Sequence, residues 1–180
     1  MKIAAMCGSL RKQSFNRALL KVAQEEAPSG VTVEILDISH LPLFDQDYEE
    51  PLPPAVADFK AEIIEADAIL FAVPEYNYSF SGVLKNAIDW ASRPYGKNVW
   101  DGKIAGIMGG SMGMQGTCRA QYHLRQVFVY LNIHTLNKPE VMVGSIHEKF
   151  DKSGKLIDSK TREKVAELVQ ALVEKVRAGK

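Results

Sequence analysis

Residues 8–16 read "GSLRKQSFN" and lie between an apolar run, "KIAAM", and a helical pattern. Helix starts usually attract Asp or Glu, because the exposed N–H groups and the dipole favour negative charge there. This one carries Arg11, Lys12 and Arg17 and no carboxylate. A bound phosphate would supply the missing anion. Ser9, Ser14 and Asn16 offer hydrogen bonds, the backbone N–H groups entering the helix offer more, and Arg11 matches a phosphate through two parallel bonds. In a narrower reading Ser14 is only an N-cap and Arg11 and Lys12 are solvated charges.

Two further stretches could do chemistry. "PEYNYSFSGVLKNAIDW" (74–90) opens with Pro74, Glu75, Tyr76, Asn77 and Tyr78. Exposed aromatics at a strand's ligand end are costly unless something flat covers them or they pack on neighbours. "GGSMGMQG" (109–116) has four glycines in eight residues. It allows close backbone approach, and its N–H groups could stabilise charge on a reduced ring; it could equally be a flexible turn. Neither G-x-G-x-x-G nor the P-loop pattern is present, which disfavours a dinucleotide laid over a Gly-rich turn, and ATP. Asp37 has the position of a ribose-binding acid but lacks those glycines, so it reads as a loop residue. A phosphomonoester such as FMN suits the hydroxyl-rich cradle.

The elements that must position these loops alternate. "KIAAM", "VTVEIL" (31–36), "DAILFAVP" (67–74) and "KIAGIMGG" (103–110) read as strands, and a fifth is expected near 133–143. Helices are expected over 14–27, 55–66, 82–92, 117–131 and 160–177, the last capped by Asp158 or Ser159. Residues 37–54 are Pro-rich and acidic, a long surface loop whose length hints at function. Five strands and five helices predict a three-layer α/β domain over 1–180, with ligands at the carboxyl ends of the strands.

Composition narrows the function. The chain has 22 basic and 22 acidic residues, which argues against broad nucleic-acid or anionic-membrane binding. No apolar stretch reaches spanning length and the N-terminus does not resemble a signal peptide, so a cytoplasmic protein is expected, with Cys7 and Cys118 as free thiols. The histidines at 40, 123, 134 and 147 lack ligand spacing, so no metal site is expected.

"GSLRKQSFN", "PEYNYSFSGVLKNAIDWASRP", "AQYHLRQVFVYLN" and "NKPEVM" together resemble the NAD(P)H-dependent FMN reductase family, and within it the branch reducing quinones and chromate. The resemblance spans nearly the whole chain. It implies a flavodoxin-like fold with strand order 2-1-3-4-5, non-covalent FMN, and dimers that often pair into tetramers. It places Ser9, Arg11, Ser14, Phe15 and Asn16 on the phosphate and Pro74, Glu75, Tyr76 and Asn77 along the isoalloxazine. Tyr78 borders the substrate side, and Ser111 lies near the ring. It also implies a ping-pong cycle from NAD(P)H to an acceptor, in which the flavin carries the chemistry and no catalytic side chain is required.

Some choices stay open at this stage. An electron-transfer flavodoxin, an enzyme releasing reduced FMN to a partner, and a flavin-responsive regulator share parts of the pattern. Zero net charge and an Arg in the phosphate loop speak against the first. Lys12 and Arg93 are candidates for a 2′-phosphate, but the pattern does not separate NADH from NADPH. Arg119, Tyr122 and Glu140 are expected to meet across a subunit interface, and His123 and Arg125 to pack or lie at one.

Overall fold

The computed structural model describes residues 1–179. Its strands are β1 (Lys2–Cys7), β2 (Thr32–Leu36), β3 (Ala68–Ala72), β4 (Ile104–Gly110), β5 (His134–Thr135) and β6 (Val141–Val143). Its helices are α1 (Phe15–Glu25), α2 (Pro54–Glu65), α3 (Gly82–Ser92), α4 (Cys118–Leu131) and α5 (Ser159–Ala178). All strand pairs are parallel, in the order β2-β1-β3-β4-β5, the order the resemblance implies.

The fifth strand departs from expectation. Residues 133–143 form two short strands, so the sheet has six. β5 pairs with the start of β4 (His134 with Ile104), and β6 pairs with its end (Val141 with Met108). Pro139 between them has no N–H to donate, so one continuous ladder is not available there.

Alternation along each strand divides the core. Ile3, Ala5 and Cys7 of β1 and Leu70 of β3 face α1 and α5. Ala4, Met6, Ile69 and Phe71 face α2, α3 and α4. A sheet covered on both faces needs continuous apolar strands, which is how β3 and β4 read. Phe71 lies 4.9 Å from Phe128 and 5.9 Å from Trp100, ring to ring, and anchors the second layer.

The long acidic loop is strapped to α3. Asn86 accepts from the Phe44 N–H at 2.7 Å and donates to the Pro42 carbonyl at 2.8 Å. The Trp90 indole N–H donates to the same carbonyl at 2.8 Å. A short 3₁₀ turn, Gln46–Tyr48, interrupts it.

Candidate functional site

The three loops expected to carry chemistry meet at the carboxyl ends of β1, β3 and β4. The first is tied to β3 by its own backbone, since the Gly8 N–H donates to the Ala72 carbonyl at 2.9 Å. A side chain at Gly8 would meet Pro74 Cδ and Ser81 Oγ at 2.8 Å, so glycine is what lets the first two loops touch. Between the loops lies a cavity of about 230 Å³ lined by Ser9, Arg11, Ser14, Phe15 and Asn16 from the first. Pro74, Glu75 and Tyr76 line it from the second, and Gly110, Ser111 and Met112 from the third.

In the first loop the roles divide. Ser14 is the N-cap of α1, its Oγ accepting from the Arg17 N–H at 3.3 Å. The first turn of α1 has no acidic residue, and the N–H groups of Phe15 and Asn16 have no acceptor in the protein among the described residues. Asn16 uses its side chain elsewhere. Its Nδ2 donates to the Gly110 carbonyl at 3.0 Å and its Oδ1 accepts from the Gly110 N–H at 2.9 Å. The amide thus joins the start of α1 to the end of β4, and what Asn16 offers a phosphate is its backbone N–H. Beneath the loop, burial pushes the Cys7 thiol pKa up, so it sits as a neutral, small apolar group.

The second loop is a two-residue reversal. Tyr76 and Ser79 exchange both backbone hydrogen bonds at 2.9 Å, with Asn77 and Tyr78 between them at φ 51° and 65°. Two successive left-handed residues define a type I′ turn, which sequence patterning did not foresee without a glycine. The turn aims Tyr78 outward, where it is 69% exposed with the Arg119 guanidinium 4.1 Å above its ring. Asn77 stays at the tip, outside the cavity lining.

Glu75 is the hinge between the second loop and α4. Thr117 gives α4 no side-chain cap, and the Glu75 carboxylate takes that role, accepting from the Ala120 N–H at 3.2 Å. Arg119 lies 3.4 Å from its other oxygen. Arg119 is therefore paired with the second loop rather than with Glu140. Tyr122 and Glu140 meet within one chain, Tyr122 donating to Glu140 at 2.7 Å, and Glu140 precedes β6 rather than lying in a strand. His123, on α4, shares a 2.8 Å hydrogen bond with Ser79 and so also holds the second loop. Arg125 donates to Thr135 and to the Leu136 carbonyl, packing β5 onto α4.

In the third loop some N–H groups have acceptors and others do not. Gly110 donates to Asn16 and Ser111 donates to the Val143 carbonyl. The Ser111 hydroxyl bonds the loop's own Gly116 carbonyl. Among the described residues, Met112, Gly113, Met114 and Gln115 keep N–H groups with no protein acceptor. Ile146, which closes the cavity, lies just beyond β6 and carries no signal in sequence.

Arg93 is not part of this site. It follows α3, about 16 Å of helix below the second loop at 1.5 Å per residue, and ion-pairs with Glu49 at 2.6 Å. It lines a separate groove of about 450 Å³ with Tyr95 and Tyr130. Its expected contact with a 2′-phosphate is thus corrected: helix length carries it away from the ligand edge.

The donor set fits a flavin mononucleotide. Hydroxyls, a guanidinium and orphan helix N–H groups lie at one end, and none of the first-loop residues lining it is a carboxylate. Pro74 and Tyr76 line the other end beside free backbone donors. The fold and these loops define a flavodoxin-like mononucleotide-binding protein. The model of the NADPH-dependent FMN reductase family matches residues 1–148, and the chain belongs to that family. It is 52% identical over 173 residues to an NAD(P)H-dependent FMN reductase of Pseudomonas aeruginosa, covering 96% of this chain and 93% of that one. It is 46% identical over 179 residues to an NAD(P)H:quinone oxidoreductase of Solanum tuberosum, covering 96% and 91%. Among solved structures, the flavoenzyme NAD(P)H:(acceptor) oxidoreductase FerB of Paracoccus denitrificans superposes with a TM-score of 0.90. That pair is 37% identical over 98% of this chain and 97% of that one.

Proposed function

We propose that this chain is an FMN-dependent NAD(P)H oxidoreductase whose acceptors are quinones. The observation that carries the reading is the meeting of three loops at one cavity: anion donors on the first, flat-ring contacts on the second, free N–H groups on the third. Bound FMN supplies the redox chemistry, taking a hydride from NAD(P)H and giving two electrons to the acceptor.

The chain's own residues position that exchange. Ser9, Arg11, Ser14 and the N–H groups of Phe15 and Asn16 hold the phosphate, with the helix dipole adding attraction. Pro74, Glu75 and Tyr76 border the ring, largely through backbone, with Asn77 at the tip of the turn beyond them. The Glu75 bond to α4 keeps that backbone from shifting when ligands exchange. Met112, which lines the cavity and whose N–H has no protein acceptor, offers a donor to the ring edge, where negative charge grows on reduction. Tyr78, held by Arg119, walls the open side on which nicotinamide and acceptor alternate.

Chromate belongs to the same proposal, because an open site of this kind selects little beyond access. A homodimer or homotetramer is proposed through the outer face of α4, where Tyr122, Val129 and Tyr130 are exposed. A cytoplasmic location is proposed on the free thiols.

The test begins with the visible spectrum of the purified protein. Flavin bands that NADPH bleaches without oxygen and a quinone restores, with no one-electron species, are the expected result. A protein that binds no added FMN overturns the cradle. A bound flavin that neither NADPH nor NADH bleaches leaves the cradle and removes the reductase.

A further inference from the structure

We propose that a basic basin beside the phosphate cradle binds the phosphate of an adenine nucleotide, an inference that rests on the flavin reading above. Arg11, Ser14 and Phe15 line two cavities, the one already described and a second of about 380 Å³. The second runs along the outer face of α1, past Lys12, Arg17 and Lys21, to the turn at residues 151–154. Five cations border it: Arg11, Lys12, Arg17, Lys21 and Lys152. All five are exposed, and none lies within ion-pair distance of a carboxylate among the described residues.

The one carboxylate in the lining, Asp151, is committed to its own turn. Its Oδ1 accepts from the Ser153 N–H at 2.8 Å, the Ser153 hydroxyl at 2.6 Å and the Lys155 N–H at 3.0 Å. Elsewhere basic side chains find acids: Lys2 meets three glutamates and Arg162 two. In a chain of zero net charge, five unpaired cations around one concavity repel each other and favour an anion. A flavin monophosphate reaches the shared wall at Arg11 and Ser14 and leaves the basin beyond it unfilled. A second phosphate, with its nucleoside, suits that space.

Two molecules present this chemistry. FAD would extend its adenylyl half outward from the cradle phosphate. NADPH would bring its 2′-phosphate into the same basin. Lys12, expected on a 2′-phosphate, lines the basin; Arg93 does not.

The test is the double variant Lys21→Glu with Lys152→Glu, two exposed positions outside the FMN site. FMN and FAD dissociation constants are measured by flavin fluorescence on stripped full-length protein. KM for NADPH and NADH is measured on FMN-loaded protein. FMN affinity and the NADH KM are expected to stay within about twofold. FAD binding weakened about tenfold or more supports the proposal with FAD as occupant. An unchanged FAD affinity with the NADPH KM raised about tenfold or more supports it with NADPH as occupant. Losses that fall equally on FMN or NADH, or no loss on any ligand, overturn it. If wild-type protein binds no FMN, the cradle reading fails first and takes the basin with it, so the two failures are told apart.

Discussion

Arg11 and Asn16 stand five residues apart in one motif, yet they do different work. Arg11 is exposed, unpaired and lines the cavity proposed for the phosphate, so Arg11→Ala should act on binding alone. FMN affinity is expected to fall about tenfold to a hundredfold, the worth of a charge-assisted pair. The urea midpoint of the flavin-free protein should hardly move. Asn16→Ala should do the reverse first. It leaves the Gly110 N–H and carbonyl without partners, at a cost of about 1–3 kcal/mol. Urea unfolding of flavin-free protein reads that loss directly. Sequence alone put both residues on the phosphate, because an amide in such a loop looks like a donor. Only the approach of β4, 94 residues away, shows where that amide is used.

At the scale of elements, helix starts are where sequence and fold disagree most usefully. Ser14, Ser81 and Asp158 cap α1, α3 and α5 from within, as local patterns predict. α4 is capped by Glu75 from another loop, and local patterns cannot see that. Glu75→Ala should therefore loosen the second loop and α4 together, lowering stability by about 1 kcal/mol and broadening the bound flavin's visible bands. Glu75→Gln keeps an oxygen for the Ala120 N–H and should restore most of the stability. α5 offers a pH test. The Asp158 carboxyl is held below its usual range, first by the Thr161 hydroxyl and then by the Thr161 N–H, with Lys149 assisting. A depressed folded pKa contributes stability above the unfolded value, near 4, and loses it as pH falls through the folded one. Wild type should thus exceed Asp158→Asn in thermal stability at pH 7, with the gap closing below about pH 4.

For the whole molecule, two apolar layers hold one sheet rigid while its ligand edge carries the loops. Phe71→Ala in the second layer should cost about 3–5 kcal/mol, read by denaturant unfolding, and release flavin only as the protein unfolds. Assembly belongs to this scale too. Val129 and Tyr130, 83% and 81% exposed on α4, would be poor surface residues for a monomer. Val129→Asp with Tyr130→Glu is expected to lower the molar mass seen by light scattering, and an unchanged mass would remove α4 as the interface. No described helix is long and apolar enough to cross a membrane.

Periodicity and punctuation alone determined the alternating elements, the parallel sheet, its ligand edge and the three loops on it. They did so because burial on both faces dictates apolar strands, and because turn and cap residues act over a few positions. The proposed phosphate cradle was legible for the same reason: its donors lie within eight residues of one another, at the start of a helix lacking its usual acid. Tertiary structure decided the rest. It split the last strand around Pro139, turned Asn16 toward Gly110, brought Glu75 to α4 and sent Arg93 to the far end of α3. It also set Lys152 opposite α1, more than 120 residues away in sequence. Each of these depends on where a side chain's partner arrives from, and distances across a fold are set by packing, not by spacing along the chain.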